Sequence, residues 1–206
     1  MSRTNTYAIQ AQSAKDLFLT YDQEALIAKF SLRADESYLY PVMLSQRYRL
    51  SRATGDLERE VKGAWQDANS FNEVMTLLDM LCDAKPDRGL AGKWKSMQNF
   101  GLQFHRNLLE ERRDHWADLF DKTPELLHRG CQALGGIPFP GADISYRMEL
   151  FDGLPIGVQF WHGDDEFLPR LRYLWDENAT QYIRYETMYY AINLLLSRIK
   201  EAVSDR

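Results

Sequence analysis

Residues 141–176 read GADISYRMELFDGLPIGVQFWHGDDEFLPRLRYLWD, and the alternation of apolar and polar residues within them decides the predicted fold. Successive side chains of a β-strand point to opposite faces, so a period of two is typical of a half-buried strand. Three such runs occur, with apolar positions at Ile144, Tyr146, Met148 and Leu150, then Leu154, Ile156, Val158 and Phe160, then Leu171, Tyr173 and Trp175. The stretch therefore predicts three consecutive antiparallel strands that share one apolar face.

Two short polar segments separate these runs. Asp152 and Gly153 predict a tight turn, because glycine adopts positive φ at no steric cost. Residues 163–166, Gly-Asp-Asp-Glu, predict the second turn. Pro155 and Gly157 lie inside the second run, and we expect a strand that contains them not to be fully paired on both sides.

The chain after this stretch carries the longest helical pattern. Six apolar residues recur at spacings of four and three, and they are Tyr185, Tyr189, Ile192, Leu196, Ile199 and Val203. This spacing predicts a single amphipathic helix. Because such a helix must bury its stripe, we expect it to pack on the apolar face of the three strands. The sequence thus predicts an α+β fold, an antiparallel meander packed against a long C-terminal helix.

The part of the chain that precedes the meander is predicted to supply further N-terminal and central helices. Residues 6–19 and 22–30 are predicted as two short helices. Residues 38–60 are predicted as a hairpin that could extend the sheet. The four residues that begin at Ser70, Ser-Phe-Asn-Glu, match a capping box and predict the start of another helix.

The predicted elements fit a single domain, as the length of 206 residues does. Thr123 and Pro124 predict the N-cap and the first position of a helix that precedes the meander. The predicted domain comprises N-terminal helices and a hairpin (1–62), a helical region (63–140), and the meander with the C-terminal helix (141–206).

Composition and charge exclude several classes of protein. The net charge of −5 disfavours a non-specific binder of nucleic acid or anionic membranes. No apolar run approaches the roughly 20 residues that span a bilayer, and residues 1–10 lack the apolar region of a signal peptide. Cys82 and Cys131 are widely separated, which favours a reducing cytoplasm over a disulfide framework. We therefore expect a cytoplasmic protein.

Five segments carry a resemblance to a known family, and they are 77–81 (LLDML), 91–96 (AGKWKS), 141–146 (GADISY), 160–167 (FWHGDDEF) and 174–176 (LWD). In these segments the chain resembles an uncharacterised family from anaerobic bacteria and archaea, a domain of unknown function. Some members occur beside iron–sulfur or corrinoid proteins, so the resemblance implies a role in anaerobic one-carbon or redox metabolism. The chain lacks the four cysteines that an iron–sulfur cluster normally needs, and no cofactor is expected.

The acidic turn is a candidate metal site. His162, Asp164, Asp165 and Glu166 could gather ligands around a divalent cation. The structural alternative is that Gly163 and Asp164 make the turn, that Asp165 or Glu166 caps backbone amides, and that Phe167 fills the core. We expect the structural alternative, because the spacing of EF-hand and zinc sites is absent.

Aromatic residues near the same turn are candidates for a ligand pocket. The aromatic candidates are Trp161, Trp175, Tyr182 and Tyr185, and the polar candidates are Arg172 and Arg184. Such a set could line a pocket for a flat ligand. The alternative is that these rings pack between the helix and the sheet, which is the commoner role of aromatic residues at helical spacing.

Two further groups could carry chemistry. Histidines and arginines within 105–115 could hold a phosphate or carboxylate, or they could form a solvated helix face with internal ion pairs. Cys131 lies three positions after His128, but a position near a helix C-terminus disfavours a thiolate, so we expect a structural cysteine. The nucleophile elbow, the Walker loop and the dinucleotide fingerprint are absent from the sequence.

The sequence therefore favours a non-catalytic accessory module in anaerobic metabolism that binds a small molecule or a protein. The alternative is a metal-assisted enzyme that uses residues 162–166. We expect neither nucleic acid nor a membrane as a partner. A homodimer could form through exposed aromatic residues or an unpaired sheet edge.

Overall fold

A computed structural model describes residues 3–100 and 114–204, and it confirms the α+β class. The described residues form α-helices and two antiparallel sheets. Internal contacts divide the chain into two compact units, one of residues 1–89 and 180–194, the other of residues 90–179 and 195–206. The single domain over 1–206 stays a prediction.

The first unit contains three helices and a sheet. The helices are α1 (Arg3–Leu19), α2 (Gln23–Phe30) and α3 (Phe71–Asp83). The strands are β1 (Arg33–Ala34), β2 (Tyr38–Tyr40), β3 (Val42–Met43), β4 (Gln46–Ser51), β5 (Leu57–Val61) and β6 (Ala64–Asp67). The spatial order of the strands is β1-β2-β4-β5-β6, and β3 also pairs with β4.

Side chains cap two helix starts in the first unit, and the cap at Ser70 is the one that the sequence predicts. The Asp22 carboxylate accepts from the backbone N–H of Glu24 at 3.0 Å and of Ala25 at 3.1 Å, which satisfies free amides at the start of α2. The Ser70 hydroxyl accepts from the backbone N–H of Glu73 at 3.4 Å and donates to its carboxylate at 2.7 Å. The two N-terminal helices and the helix that follows Ser70 are therefore confirmed.

The prediction for residues 38–60 is only partly right. These residues form paired strands, with Tyr48 opposite Arg59, as the hairpin pattern indicated. They do not extend the meander, because they belong to a separate sheet. The region predicted as helical, 63–140, also contains strands, because β6 lies within it and pairs with β5.

The C-terminal helix, α6 (Tyr185–Ser204), contributes its first half to the first unit. Thr187 and Tyr190 of this half contact Asp79 and Phe71 of α3, and Arg184, which directly precedes the helix, makes a third contact with Asp83. Two of the three contacts are polar. The helix was predicted from its apolar stripe alone, and that stripe does not predict polar contacts with α3.

The second unit contains the meander. Its strands are β7 (Trp94–Ser96), β8 (Ile137–Pro138), β9 (Ile144–Phe151), β10 (Leu154–Trp161) and β11 (Arg170–Asp176). The spatial order is β7-β11-β10-β9-β8, so the three predicted strands form the middle of a five-stranded sheet. Val158 lies opposite Tyr146 on β9 and Tyr173 on β11, which confirms the predicted apolar face.

We expected the strand that contains Pro155 and Gly157 not to be fully paired on both sides. This expectation is wrong, because β10 pairs with β9 on one side and with β11 on the other. Pro155 is tolerated because the register with β9 shifts between Leu154 and Pro155. Gly157 is tolerated because two side chains approach it closely: a Cβ atom there would lie 3.1 Å from Cβ of Leu174 and 3.4 Å from Cζ3 of Trp94. Proline and glycine thus mark a bulge and a close approach here rather than an unpaired edge.

Two helices pack on the apolar face of this sheet, α4 (His115–Lys122) on β11 and α5 (Pro124–Ala133) on β9. The ring of Phe120 meets that of Phe160 edge to face, with centroids 6.4 Å apart. The sequence analysis named only the C-terminal helix as the partner of this face. Pro124 occupies the start of α5 as predicted, but the Thr123 hydroxyl donates to a carbonyl of α4 instead of capping.

The opposite face of the sheet is covered over the middle of β10. A Cβ atom placed on Gly157 would lie 3.4 Å from Cζ3 of Trp94, whose ring centroid is 4.9 Å from that of Phe139. The Gln159 side chain donates to the Pro140 carbonyl at 3.1 Å, and Gln159 is only 6% exposed. This cover ends at Gln159 and leaves the end of the strand partly open.

The second half of α6 lies against α5 in the second unit, and this contact yields a stability prediction. A Cβ atom on Gly130 would lie 2.5 Å from Cγ2 and 2.6 Å from the carbonyl oxygen of Ile199. Alanine normally stabilises a helix interior by about 0.5–1 kcal/mol relative to glycine. We expect Gly130→Ala instead to destabilise the protein by about 1–3 kcal/mol through overpacking, measured by urea unfolding.

Gly89→Ala is the matched control, because a Cβ atom there would meet nothing within 4 Å. This substitution should leave the free energy of unfolding nearly unchanged. If Gly130→Ala were as stable as the natural chain, the close packing of α5 on α6 would be wrong.

Candidate functional site

The open end of β10 and β11 places an indole beside two guanidinium groups. Trp161 lies opposite Arg170 in the strand register. The Cζ atom of Arg172 is 5.2 Å and that of Arg170 is 5.8 Å from the indole ring centroid, within the range of cation–π contacts. We call Trp161, Arg170 and Arg172 the Trp161 patch. Sequence analysis identified Trp161 and Arg172 but missed Arg170.

The two arginines of the Trp161 patch have no acidic partner in the part of the chain that the structure describes. Their side chains contact the indole and make no hydrogen bond or ion pair with a described residue. Arginine is always charged at physiological pH, and five N–H groups of each side chain can donate. The patch therefore presents two positive charges with unused donors on one side of the sheet.

The first sheet contains the same type of contact, but there the charge is compensated. Arg47 and Arg49 lie 5.9 and 4.9 Å from the ring centroid of Trp65. Arg49 donates to both oxygens of Glu58 at 2.6 and 2.9 Å, and Arg47 pairs with Glu60 at 2.8 Å. In the first sheet, each arginine over the indole is therefore paired with a glutamate. The arginines of the Trp161 patch are not paired in this way with a described residue.

The acidic turn beside the patch is organised by Asp164. Its carboxylate accepts from the backbone N–H of Glu166 at 2.9 Å and of Phe167 at 2.7 Å. The interpretation that Asp165 or Glu166 caps these amides is therefore wrong. The expectation that Phe167 fills the core is also wrong, because 69% of its surface is exposed.

His162 is held at the start of this turn by Asp121. The imidazole Nδ1 lies 2.9 Å from the Asp121 carboxylate, which also accepts from the Gly163 backbone N–H at 3.2 Å. The His162 backbone N–H donates to Asp143 at 2.9 Å. The hydrogen bond from His162, and next that from Gly163, lower the pKa of Asp121. No signal in the sequence joined Asp121 to a turn 41 residues away.

The predicted metal ligands do not form a ligand cluster. Within residues 3–100 and 114–204, no group of three or more His, Cys, Asp or Glu side chains could hold a metal ion. His162 instead contacts Asp121, and Asp164 binds the amides of its own turn. The metal-assisted enzyme that would use the acidic turn at residues 162–166 stays a prediction.

The six predicted ligand-binding residues divide between the two units. In the second unit, Trp175 is fully buried and lies on the opposite face of the sheet from Arg172. In the first unit, Tyr182 is buried, Arg184 pairs with an acidic residue of α3, and the Tyr185 hydroxyl lies 2.9 Å from that of Tyr189. Of the six, the structure therefore brings Trp161 and Arg172 together.

The first unit also has a polar cavity of about 510 Å³ that the sequence analysis did not identify. Its lining residues are Gln23, Glu36, Ser37, Tyr38, Ser51, Arg52 and Ala53. The Arg52 guanidinium donates to Glu24 at 2.6 Å and to Gln23 at 3.0 Å. The positive charge of Arg52 in this cavity is thus already paired with Glu24, and its guanidinium also donates to Gln23.

The remaining candidates that the structure describes add no reactive group. His128 Nδ1 lies 3.0 Å from the Tyr146 hydroxyl, and Cys131 is fully buried. Burial raises the pKa of the Cys131 thiol to about 12, which keeps it protonated at neutral pH. Of the basic cluster within 105–115, residues 105–113 lie outside the described residues, and His115 is exposed beside Trp116.

Comparisons with known proteins bear on the family alone. The family model described as a domain of unknown function, DUF3786, matches residues 22–198 and so covers most of the chain. Neither the curated proteins nor the solved structures gave a match. In the described part of the chain, no helix is long and apolar enough to cross a bilayer. That the family comes from anaerobic organisms, and that its members occur beside iron–sulfur or corrinoid proteins, stay predictions.

Both thiols should be unreactive in the folded protein. Burial, and next the charges of Asp83 and Asp79, raise the pKa of Cys82 to about 12, as burial does for Cys131. We expect slow reaction of both cysteines with a disulfide reagent near pH 8 and rapid reaction of both after unfolding in urea. Rapid modification of Cys131 in the folded chain would contradict its structural role.

The lowered pKa of Asp121 predicts how stability depends on pH. A carboxyl group whose folded pKa lies below its unfolded value, about 3.9, stabilises the fold above that value. This contribution is lost as the pH falls through the folded pKa. We expect Asp121→Asn to lower the urea midpoint at pH 6, and the difference from the natural chain to vanish once the pH lies below the lowered folded pKa of Asp121.

Asp165→Asn is the control for this experiment, because Asp165 has no hydrogen bond or ion pair with a described residue. Its effect on the midpoint should be small at every pH. A difference between the natural chain and Asp121→Asn that does not change with pH would show that the hydrogen bond from His162 does not lower the pKa of Asp121.

Proposed function

On the premise that the chain belongs to the DUF3786 family, a domain of unknown function, we propose that it is a cytoplasmic, non-catalytic binding module. The Trp161 patch holds an anionic group, a carboxylate or a phosphate, of its binding partner. The observation that carries the proposal is the pair of arginines on one indole without an acidic partner among the described residues. The resemblance to an uncharacterised family from anaerobic bacteria and archaea supports an accessory role in anaerobic metabolism.

The hydrogen-bond geometry of Arg170 and Arg172 suits the binding of an anionic group. A guanidinium group is planar and matches a carboxylate or phosphate with two parallel N–H donors. Arg170 and Arg172 have the same parity on β11, so both side chains project from one face of the sheet. An anion placed between them gains hydrogen bonds from two side chains at once.

The patch is also ordered before a partner binds. Trp161 and Arg170 lie opposite each other on paired strands, and the indole contacts both guanidinium groups. Side chains that are already held in place lose less conformational entropy on binding. The cover that ends at Gln159 leaves this end of the sheet accessible, since Trp161 is only half-buried.

The charge of the whole chain narrows the class of partner. A net charge of −5 repels long polyanions, so a nucleic acid or an anionic membrane is disfavoured. Two arginines are enough for one carboxylate or phosphate group. The proposal therefore concerns a small anion or a single anionic group on a protein.

Charge removal tests the proposal directly. Phosphate and citrate are titrated into the natural chain and into the Arg170→Gln/Arg172→Gln variant by calorimetry, with intrinsic tryptophan fluorescence as a second signal. Loss of charged hydrogen bonds worth about 1.5–3 kcal/mol each should weaken binding at least tenfold. The measured affinity of the natural chain should fall as salt is added.

Arg47→Gln is the matched control, because Arg47 also lies over an indole but is paired with Glu60. This variant should bind like the natural chain. Equal anion binding by the double variant, or no binding by the natural chain, would show that the Trp161 patch is not an anion site.

A further inference from the structure

We infer that the anionic group on the Trp161 patch is the acidic turn of a second copy of this chain, which forms a two-fold dimer. The contact is made by the tip of the hairpin that β10 and β11 form, residues 161–172. The inference rests on the proposed function, because Arg170 and Arg172 take the anion in both. Free anions then compete with the second copy for these two arginines.

The tip presents an apolar surface to solvent. Phe167 is 69% exposed and Leu168 is 67% exposed, more than any other large apolar side chain in the described part of the molecule. The two residues are adjacent at the tip of one hairpin, so the tip exposes two large apolar side chains to solvent. Exposed apolar patches of this kind are typical of interaction sites. Burial of both side chains supplies the attraction for association.

The tip is held in one conformation without a partner. Asp164 accepts from two backbone amides of the turn, and its own N–H donates to the Phe167 carbonyl at 2.9 Å. Asp121 binds both the His162 imidazole and the Gly163 backbone N–H at the base of the turn. Because these contacts fix the backbone, docking through Phe167 requires little further ordering.

Charge selects the second copy as the occupant. Asp165 and Glu166 are exposed, and their carboxylates make no hydrogen bond or ion pair with a described residue. Arg170 and Arg172 on the same hairpin also lack acidic partners among the described residues. Acids and arginines thus flank one apolar tip without pairing with each other.

A two-fold axis at the tip pairs these charges. In such an interface each surface meets its own copy, so residue i contacts j and j contacts i. With Phe167 near the axis, Asp165 and Glu166 of one copy face the arginines of the other. A partner with one sign of charge would satisfy only half of this surface. The second copy satisfies both halves.

Sedimentation equilibrium of the full chain tests the inference. We expect the natural chain to reach twice its monomer mass at concentrations up to about 100 μM. Loss of the buried apolar surface in Phe167→Ser/Leu168→Ser should raise the dissociation constant at least about tenfold. Val42→Ser is the control, since Val42 is also exposed but lies in the first unit. A natural chain that stays monomeric overturns the inference.

Charge reversal gives the sharper test. Arg170→Glu/Arg172→Glu and Asp165→Arg/Glu166→Arg should each raise the dissociation constant at least about tenfold, because like charges then face each other. An equimolar mixture of the two variants should restore dimers that contain one chain of each. A mixture that stays monomeric overturns the inference. Circular dichroism and thermal unfolding confirm that each variant is folded.

The outcomes separate this inference from the proposed function. If the natural chain stays monomeric but binds citrate through its arginines, the dimer is wrong and the anion site stands. If dimers form but Arg170→Glu/Arg172→Glu dimerises as well as the natural chain, the arginines take no anion, and both the anion site and this inference are wrong. If phosphatidylcholine vesicles bind the monomer through Phe167 and Leu168, the apolar tip serves a membrane and the dimer is wrong.

Discussion

The face of the second sheet that carries the candidate site is shaped by close packing at Gly157, which the Trp94 ring and the Leu174 side chain both approach. Any side chain at Gly157 would meet this ring and the Leu174 side chain, the latter at 3.1 Å. Together with the hydrogen bond from Gln159 to the Pro140 carbonyl, this packing buries the middle of β10 on both faces. Trp161 is the first position on this face at which the cover ends, so the open site begins there.

The other face of the same sheet determines the shape of the turn. α4 packs on this face, with Phe120 against Phe160, and the last turn of α4 carries Asp121. From that position the carboxylate reaches the imidazole of His162 and the amide of Gly163. Packing of the apolar core and ordering of the hairpin tip are therefore coupled through one helix.

The two sheets use arginine in different ways. In the first sheet, Arg49 lies between the rings of Tyr38 and Trp65 and donates to both oxygens of Glu58, so its charge contributes to a stable surface. In the second sheet, Arg170 has the aromatic neighbour but no carboxylate among the described residues. An arginine that is held in place but has no carboxylate partner adds little to the stability of the fold. Its charge is better suited to binding an anionic group of a partner.

Local patterns in the sequence determined the strands at 144–175 and the helix start at Ser70, because alternation and capping depend on residues close in the chain. The same patterns identified Trp161 and Arg172 as candidate ligand-binding residues. Only the tertiary structure decided the division into two sheets and the placement of Trp94 on Gly157. It also decided the hydrogen bond between Asp121 and His162. These contacts join residues that are far apart in the chain, and packing between distant segments leaves no periodic signal in a single sequence.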